Sequence, residues 1–513
     1  MFSKKLFIAL FVLLMFTGSV TAKTHNTNKT DLRELFQNNN AVIYALNIRT
    51  FNANDINGND IIDFYDGETS GTFINAIERL DELKDLGINT VHLLPVTPVG
   101  KIKALGTAGS LYAISDFHSI NLQLVDEKSD LSPREQAKKF IDECHKRNIR
   151  VIVDLPSCGS YDLFINNPDL FVLDEDGNTF VPADWLDVRL FNVAANEKEI
   201  VHSDIFILHK LFVDYMISLG ADGIRADVAT IKPYDFWRAL IRYARSKKSG
   251  FLFLAEASEC WTKPASEKAY FTDYKKLLDA GFDGYYGDYF NFKNWHTMED
   301  LTSSVKDRQK VLKKYNEKKS VIGSFATHDE VSPLLIGGEI FSKMIIWLNA
   351  TLPLNPYYVD GFLQADDYMY DYSNKLADET YTDDEYYYVH QGQIDIFNFS
   401  RRPGSDSSIL SDEHKTAMKF RHAHNDIITK GKFIPLDTNN EKVFAYQREL
   451  NGSSVVVIFN RNLINSENVK VNIQKIRKKS QITFVRTANA GTLMKSTYTA
   501  VLKPGEIVVF SVK

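Results

Sequence analysis

Eight short apolar runs, each followed by a stretch with helical spacing, narrow what this chain can fold into. The runs are 41–50 (AVIYALNIRT), 90–96 (TVHLLPV), 150–155 (RVIVDL), 223–227 (GIRAD), 251–257 (FLFLAEA), 280–287, 320–327 (SVIGSFAT), and 350–354 together with 357–359. Apolar runs this dense suit parallel strands, which are covered on both faces. Helix signals stand between them. A helix is expected over about 72–86, stopped by Gly87. Ser132-Pro133-Arg134-Glu135 offers an N-cap, a proline at the first helical position and a capping-box glutamate, opening a helix that runs to about Arg147. Ile205, Leu208, Phe212, Tyr215 and Leu219 share one helical face ahead of Gly220. Eight such alternations predict an α/β fold, a (β/α)8 TIM barrel with its site at the carboxyl ends of the strands. A doubly wound sheet would alternate too, but no Gly-rich phosphate loop follows the first run.

The pattern changes near 431. Lys442–Glu449 and Ser453–Phe459 flank Leu450-Asn451-Gly452, a hairpin signal, and short strand-like runs continue to Val512. The expected organisation is a barrel over 41–430, with a short inserted subdomain after the third strand (156–196), and a C-terminal antiparallel β-sandwich over 431–513. Ahead of these, Lys4 and Lys5 precede an apolar run, Leu6–Phe16, and small residues placed for cleavage after Ala22. Residues 1–22 therefore read as a signal peptide, with a polar leader over 23–40, and the mature chain is expected to be exported, secreted or periplasmic, with no membrane span. Cys144, Cys158 and Cys260 permit at most one bridge and offer no zinc spacing. A net charge of -6 argues against nucleic acid as a partner.

Polar residues collect where the apolar part of each strand ends. Asp154, Asp227, Glu256 and Asp329 close or follow the third, fourth, fifth and seventh runs, so a barrel would converge them on one mouth. Arg225 and Asp227 are two apart and project from one strand face, and the guanidinium favours the ionised carboxylate. That suits a nucleophile. Glu256 follows Phe251-Leu252-Phe253-Leu254-Ala255, an apolar setting that raises a carboxyl's pKa and keeps it protonated as a general acid. Two carboxyls held in different protonation states are what glycosidic cleavage needs. A metal-binding carboxylate cluster using His328-Asp329 is the competing chemistry.

Four short stretches carry a resemblance. Val151-Ile152-Val153-Asp154, Gly223-Ile224-Arg225-Ala226-Asp227, Leu254-Ala255-Glu256 and Phe325-Ala326-Thr327-His328-Asp329 resemble, in order, the signature regions of the α-amylase family of glycoside hydrolases. The resemblance implies a retaining α-glycosidase that acts on α-linked gluco-oligosaccharides through a covalent intermediate. It implies Asp227 as nucleophile, Glu256 as acid/base and Asp329 as the carboxylate gripping sugar hydroxyls. Arg225, His328 and Asp154 would support them, with Tyr112 as an aromatic platform under the sugar. Alternatives are a transglycosylase or sugar isomerase of the same family, or a non-catalytic glucan-binding barrel; oligomeric state is left open. Where the family commonly has Asn-His after the first signature, this chain has Cys158-Gly159, which puts the family's calcium site in doubt. No metal and no cofactor are assigned.

Other residues have plainer readings. Asp116 is expected to clamp a loop, Cys158 to be a neutral structural thiol, and His422 and His424 to bind nothing. Tyr285-Tyr286 and Tyr386-Tyr387-Tyr388 are expected in core or surface ahead of sugar platforms, and Trp185 and Trp295 are undecided rim candidates.

Overall fold

The computed structural model describes residues 31–54, 56, 67–104, 110–182, 185, 187–193, 196–316, 318–366, 408–474, 476, 480–488 and 491–513. The expected signal peptide, leader residues 23–30 and Tyr386–Tyr388 lie outside them. Eight parallel strands alternate with eight helices. They are β1 (Ile43–Leu46), α1 (Leu80–Asp85), β2 (Thr90–Leu93), α2 (Pro133–Lys146), β3 (Arg150–Leu155), α3 (Asp204–Leu219), β4 (Gly223–Ala226) and α4 (Tyr234–Lys247), then β5 (Leu252–Ala255), α5 (Tyr274–Ala280), β6 (Gly284–Tyr285), α6 (Met298–Leu312), β7 (Ser320–Val321), α7 (Pro333–Thr351), β8 (Tyr357–Val359) and α8 (Ser408–Ala423). The strands pair in the order β8-β1-β2-β3-β4-β5-β6-β7. A parallel bridge between Ile322 and Asn355 joins β7 to β8 and closes the ring.

Side-chain parity builds two cores from one set of strands. Tyr44, Val91, Val151, Val153, Ile224, Phe253 and Val321 point outward into the layer beneath the helices. Ile43, Ala45, Ile152, Leu252, Leu254, Ile322 and Tyr357 fill the barrel interior. Because strand side chains alternate, every second residue of the inward set rises towards the carboxyl ends, and this parity carries Asp154, Arg225 and Glu256 to the mouth.

The opposite end of the barrel is tied by a repeated Asp-Gly pair. Asp222-Gly223 opens β4, and Asp283-Gly284 opens β6. Each aspartate accepts the N–H of a neighbouring strand, Val151 at 3.0 Å for Asp222 and Phe253 at 3.0 Å for Asp283. Each also pairs with basic side chains: His145 at 2.7 Å and Lys248 at 2.8 Å on Asp222, and Arg33 and Arg245, both at 2.7 Å, on Asp283. Glycine follows because the next strand is too close for a Cβ, which at position 223 would lie 2.7 Å from the Cβ of Leu252 and at position 284 would collide with the Ser320 carbonyl.

Two expected elements differ. Residues 350–351 end α7 instead of opening the eighth strand, which is confined to Tyr357–Val359. From Phe341 to Thr351 nearly every side chain of α7 is buried, and an apolar run buried all round carries no period that tells helix from strand. The helix expected over 72–86 begins as a 3-10 turn, Asn75–Arg79, before α1. α7 is the one described helix long and apolar enough to cross a membrane; it is largely buried against α8 and the C-terminal sheets. Arg421 of α8 caps its carboxyl end, donating to the carbonyls of Asn349, Ala350, Leu352 and Leu354.

The segment after β3 pairs Cys158–Gly159 with Ala113–Ile114, forms a six-residue helix (Tyr161–Asn166), and is bridged at Phe171–Phe191 and Leu173–Thr179. C-terminal strands β9 (Lys432–Pro435), β10 (Val443–Leu450), β11 (Ser453–Asn460), β12 (Glu467–Asn472), β13 (Ile482–Arg486), β14 (Thr492–Met494), β15 (Thr497–Leu502) and β16 (Ile507–Val512) form two antiparallel sheets, β9-β10-β11-β16-β13 and β12-β15-β14. They enclose a second core of Val456, Ile458, Val471, Tyr498 and Phe510. Asn451 and Gly452, both with positive φ, make the expected β10–β11 turn. Arg461 fastens the domain to the barrel through the carbonyls of Phe292, Lys293 and Trp295.

Asp283→Asn is expected to destabilise the fold by about 3–5 kcal/mol, because it leaves two cations without their buried partner; the urea midpoint checks it. At Asp222, burial works against the ionised form, but His145 and Lys248 more than offset it and hold the carboxyl below its ordinary value. A depressed folded pKa contributes stability above the unfolded value of about 3.9 that is lost as pH falls. The stability difference between parent and Asp222→Asn should therefore shrink as pH drops below about 4.

Candidate active site

β3, β4 and β5 each deliver one charged side chain to a common point. Arg225, fully buried on β4, donates from Nη1 to both oxygens of Asp154 at 2.9 Å and to Asp227 Oδ1 at 2.9 Å. Its Nη2 lies 2.9 Å from Glu256 Oε1, and its Nε donates to the Tyr286 hydroxyl at 3.1 Å. One guanidinium thus holds acids from three adjacent strands. Asp227 also accepts the Ser157 N–H at 3.0 Å, while the Ser157 hydroxyl donates to the Asp227 carbonyl.

A second chain of contacts runs across the barrel. The Tyr112 hydroxyl lies 3.1 Å from Asp154 Oδ2 and 2.6 Å from His328 Nε2, and its ring stacks on the His328 ring at 5.9 Å. His92 Nε2 is 3.3 Å from Asp154, and its Nδ1 is 3.1 Å from the Tyr357 hydroxyl. Burial, helped by Arg225, holds His328 neutral, well below the usual imidazole range. The consistent assignment has His328 Nε2–H donating to the tyrosine oxygen and the tyrosine O–H donating to Asp154.

The carboxyls separate by environment. Burial raises Asp154, but Arg225, His92 and His328 overturn it, and the acid sits below its ordinary value. Asp227 is raised by burial, against the pull of Arg225. This corrects the expectation from spacing alone: the guanidinium is divided among three acids, so pairing does not outweigh burial at Asp227. Glu256 is lifted well above the carboxylate range by burial and by repulsion from Asp227 and Asp329, with Arg225 opposing. The apolar strand is therefore only part of its setting. Asp329 is pushed up to about 7 by burial against the pull of Arg225; its side chain is 44% exposed at the mouth, and solvent there trims the lift. His328 Nε2 is 3.4 Å from it.

These groups open into a cavity of about 610 Å³ whose walls include Tyr112, Trp185, Asp187, Asp227, Glu256, Trp261, Phe290 and Asp329. The structure therefore gathers all seven sequence-nominated residues, Tyr112, Asp154, Arg225, Asp227, Glu256, His328 and Asp329, in one site. Trp185 lines the cavity, whereas Trp295 packs on Tyr289 and Phe292. Asp116 binds its own loop at His118 and Ser119. His92, Ser157, Trp261 and Phe290 were not singled out. His92 was detectable as the one ionisable side chain in TVHLLPV, on the inward parity. Tyr285 and Tyr286 have opposite fates for the same reason: Tyr285 faces out and donates to Glu259, and Tyr286 faces in.

No protein-family model matches the chain. It is similar to an α-1,4-glucan:maltose-1-phosphate maltosyltransferase of Cereibacter sphaeroides, 21% identical over 418 residues, which cover 78% of this chain and 57% of that protein. α-Amylase 2 of Dictyoglomus thermophilum is 24% identical over 410 residues, 76% of this chain and 64% of that protein. The solved structure of an α-amylase from Lactobacillus plantarum superposes with a TM-score of 0.67 at 18% identity, covering 93% of this chain and 99% of that one. Its relatives, in sequence and in fold, are enzymes of the α-amylase family. The chain spans less than two thirds of the length of the curated α-amylase-family relatives it matches.

The family calcium site can be tested against these residues. Cys158 is buried, its thiol pushed up to about 12 and therefore neutral. Beside it the buried Lys232 ammonium donates to the Ser157 carbonyl at 2.9 Å. Among the described residues no three His, Cys, Asp or Glu side chains cluster to hold a metal. A neutral thiol and a fixed ammonium do not fit a calcium ion.

Arg225→Met is expected to destabilise the fold by about 3–5 kcal/mol at pH 7, since three buried acids lose their common cation. Asp154 has a depressed pKa, so its share of the stability is present above about 3.9 and fades as pH falls. The gap in thermal stability between parent and variant should narrow as pH falls below about 4.

Proposed function

We propose that the chain is a retaining α-glycosidase that hydrolyses α-linked gluco-oligosaccharides. The observation that carries this reading is the pair Asp227 and Glu256, held by one guanidinium and facing one cavity, with Glu256 lifted well above the carboxylate range. Carboxyls close together (about 5–5.5 Å) serve a covalent route, whereas inverting enzymes leave a gap of about 6.5–9.5 Å for water. Asp227 and Glu256 each lie 2.9 Å from a nitrogen of the same guanidinium, and we read this as the close arrangement.

In this mechanism Asp227 attacks the anomeric carbon while Glu256 donates its proton to the departing glycosidic oxygen. Water, deprotonated by the same glutamate, then releases the sugar. Arg225 and the Ser157 N–H orient Asp227. Asp329 and the neutral His328 face the sugar hydroxyls at the mouth, and Tyr112 closes the floor. The maltosyltransferase and amylase relatives support an α-glucan as substrate. Transfer to a sugar hydroxyl in place of water is the second reading, favoured by the half-exposed rings of Trp185, Trp261 and Phe290 in the cavity wall, which suit an acceptor sugar. We infer further that calcium is not required, the Lys232 ammonium standing beside Ser157 and Cys158 where the family would use the metal.

Incubation with maltooligosaccharides, trehalose and sucrose, followed by anomeric proton NMR, tests the reading. An α-configured product from the parent and none from Asp227→Asn is expected; a β-configured first product overturns it, and product lengths separate hydrolysis from transfer. Glu256→Gln should lower kcat/KM on oligosaccharides by about 10²–10⁴-fold. In the parent, kcat/KM should fall as pH rises through the raised Glu256 value, a limb displaced upward from the usual carboxylate range. Chelation with EDTA should change neither activity nor melting temperature, and loss restored by calcium would overturn that inference.

A further inference from the structure

The residue after the proposed nucleophile has an unusual backbone. Val228 sits at φ 30°, ψ 57°. Four of the other non-glycine residues with positive φ are asparagines, and Val228 is the only β-branched one among the described residues. A β-branched side chain disfavours this region strongly, and such outliers persist only where their surroundings enforce them.

Two features surround this turn. Its successive N–H groups converge on Glu256: Val228 N–H donates to Glu256 Oε2 at 2.6 Å, and Ala229 N–H donates to the Glu256 carbonyl at 3.1 Å. With Arg225 on Oε1, both oxygens of the acid are then fixed. The second feature is what holds the turn: the Val228 side chain packs on a cluster that includes Cys158, Val188 and Ile231, so the segment after β3 presses on the strained residue.

The geometry points to Val228 as a positioning residue for the general acid: its isopropyl group, gripped by the inserted segment, holds the left-handed turn that aims the backbone N–H at Glu256. This rests on the assignment of Glu256 as acid/base. The donor also favours the ionised form, opposing the lift that burial gives Glu256. The turn therefore sets both the orientation of the acid and the ease with which it releases its proton.

Val228→Gly removes the grip while leaving the backbone free to adopt or abandon positive φ. Val228→Ala removes the grip and keeps the steric penalty, and Val228→Ile retains the β-branch. The readout is kcat/KM on maltotetraose and on α-maltosyl fluoride. Fluoride leaves with little need of a proton, so the second substrate reports attack by Asp227 without help from the acid. Val228→Gly and Val228→Ala are expected to lower kcat/KM on maltotetraose about tenfold and to change the fluoride by no more than about twofold. The alkaline limb on maltotetraose should move upward with the loss of the N–H donor, and Val228→Ile should restore the parent values. Equal losses on both substrates, or no loss on either, overturn the assignment to Val228. Glu256→Gln on the same pair separates the two levels. If it leaves maltotetraose cleavage intact, the assignment of the acid itself falls; if it shows the split and the Val228 variants do not, only the role of Val228 falls.

Discussion

The guanidinium of Arg225 is the interaction on which the mouth of the barrel depends. It is fully buried and touches Asp154, Asp227 and Glu256, with Asp329 close enough to feel its charge. One positive charge cannot stabilise four neighbouring acids as anions. The excess has to be taken up by protonation, and the surroundings decide where. Asp154 has the bidentate contact and two further polar neighbours and stays ionised. Glu256, with one contact to Arg225 and two acids nearby, is pushed towards its neutral form. Division of labour between two carboxyls follows from the scarcity of positive charge, and the apolar strand before Glu256 reinforces it.

The two ends of the barrel treat charge differently. At the amino-terminal end, Asp222 and Asp283 each meet two basic side chains and a backbone N–H, so each acid is fully partnered. At the carboxyl-terminal end the acids outnumber the cations. A matched buried network holds strands in register, whereas an unmatched one holds protons at unusual values, and the second is tolerable because the first anchors the strands beneath it. Arg461 and Arg421 extend the same logic outward, each spending a guanidinium on carbonyls left open at the ends of other elements.

Much of this was legible in the sequence because parity is. Once eight runs are taken as parallel strands, alternate residues must enter the barrel, and Asp154, Arg225, Asp227 and Glu256 follow from counting by two. The same count would have selected His92 and separated Tyr286 from Tyr285. What sequence patterning does not carry is competition for a shared partner. The Arg225–Asp227 spacing suggests a private pair, and only the folded arrangement brings Asp154 and Glu256 to the same guanidinium. Fully apolar stretches such as Phe341–Thr351 are mute for a related reason, since burial on all sides erases the periodicity that tells helix from strand. The backbone of Val228 leaves no trace at all, because nothing in the residue name foretells a positive φ.

The segment after β3 also acquires a different meaning in the folded chain. As sequence it is a loop rich in turn residues and aromatics. In the structure its Ser157 N–H reaches Asp227, its Cys158 and Val188 pack on Val228, and its Ser157 carbonyl receives the Lys232 ammonium. All three contacts converge on the turn after β4 that carries the proposed nucleophile. A bound metal could tie such a segment down, but it would bring two positive charges beside acids whose balance depends on having few. A single ammonium, lowered to about 8 by burial, fastens the same carbonyl with half that charge. With the Lys232 ammonium fastening the segment, Arg225 remains the dominant cation acting on Asp227 and Glu256.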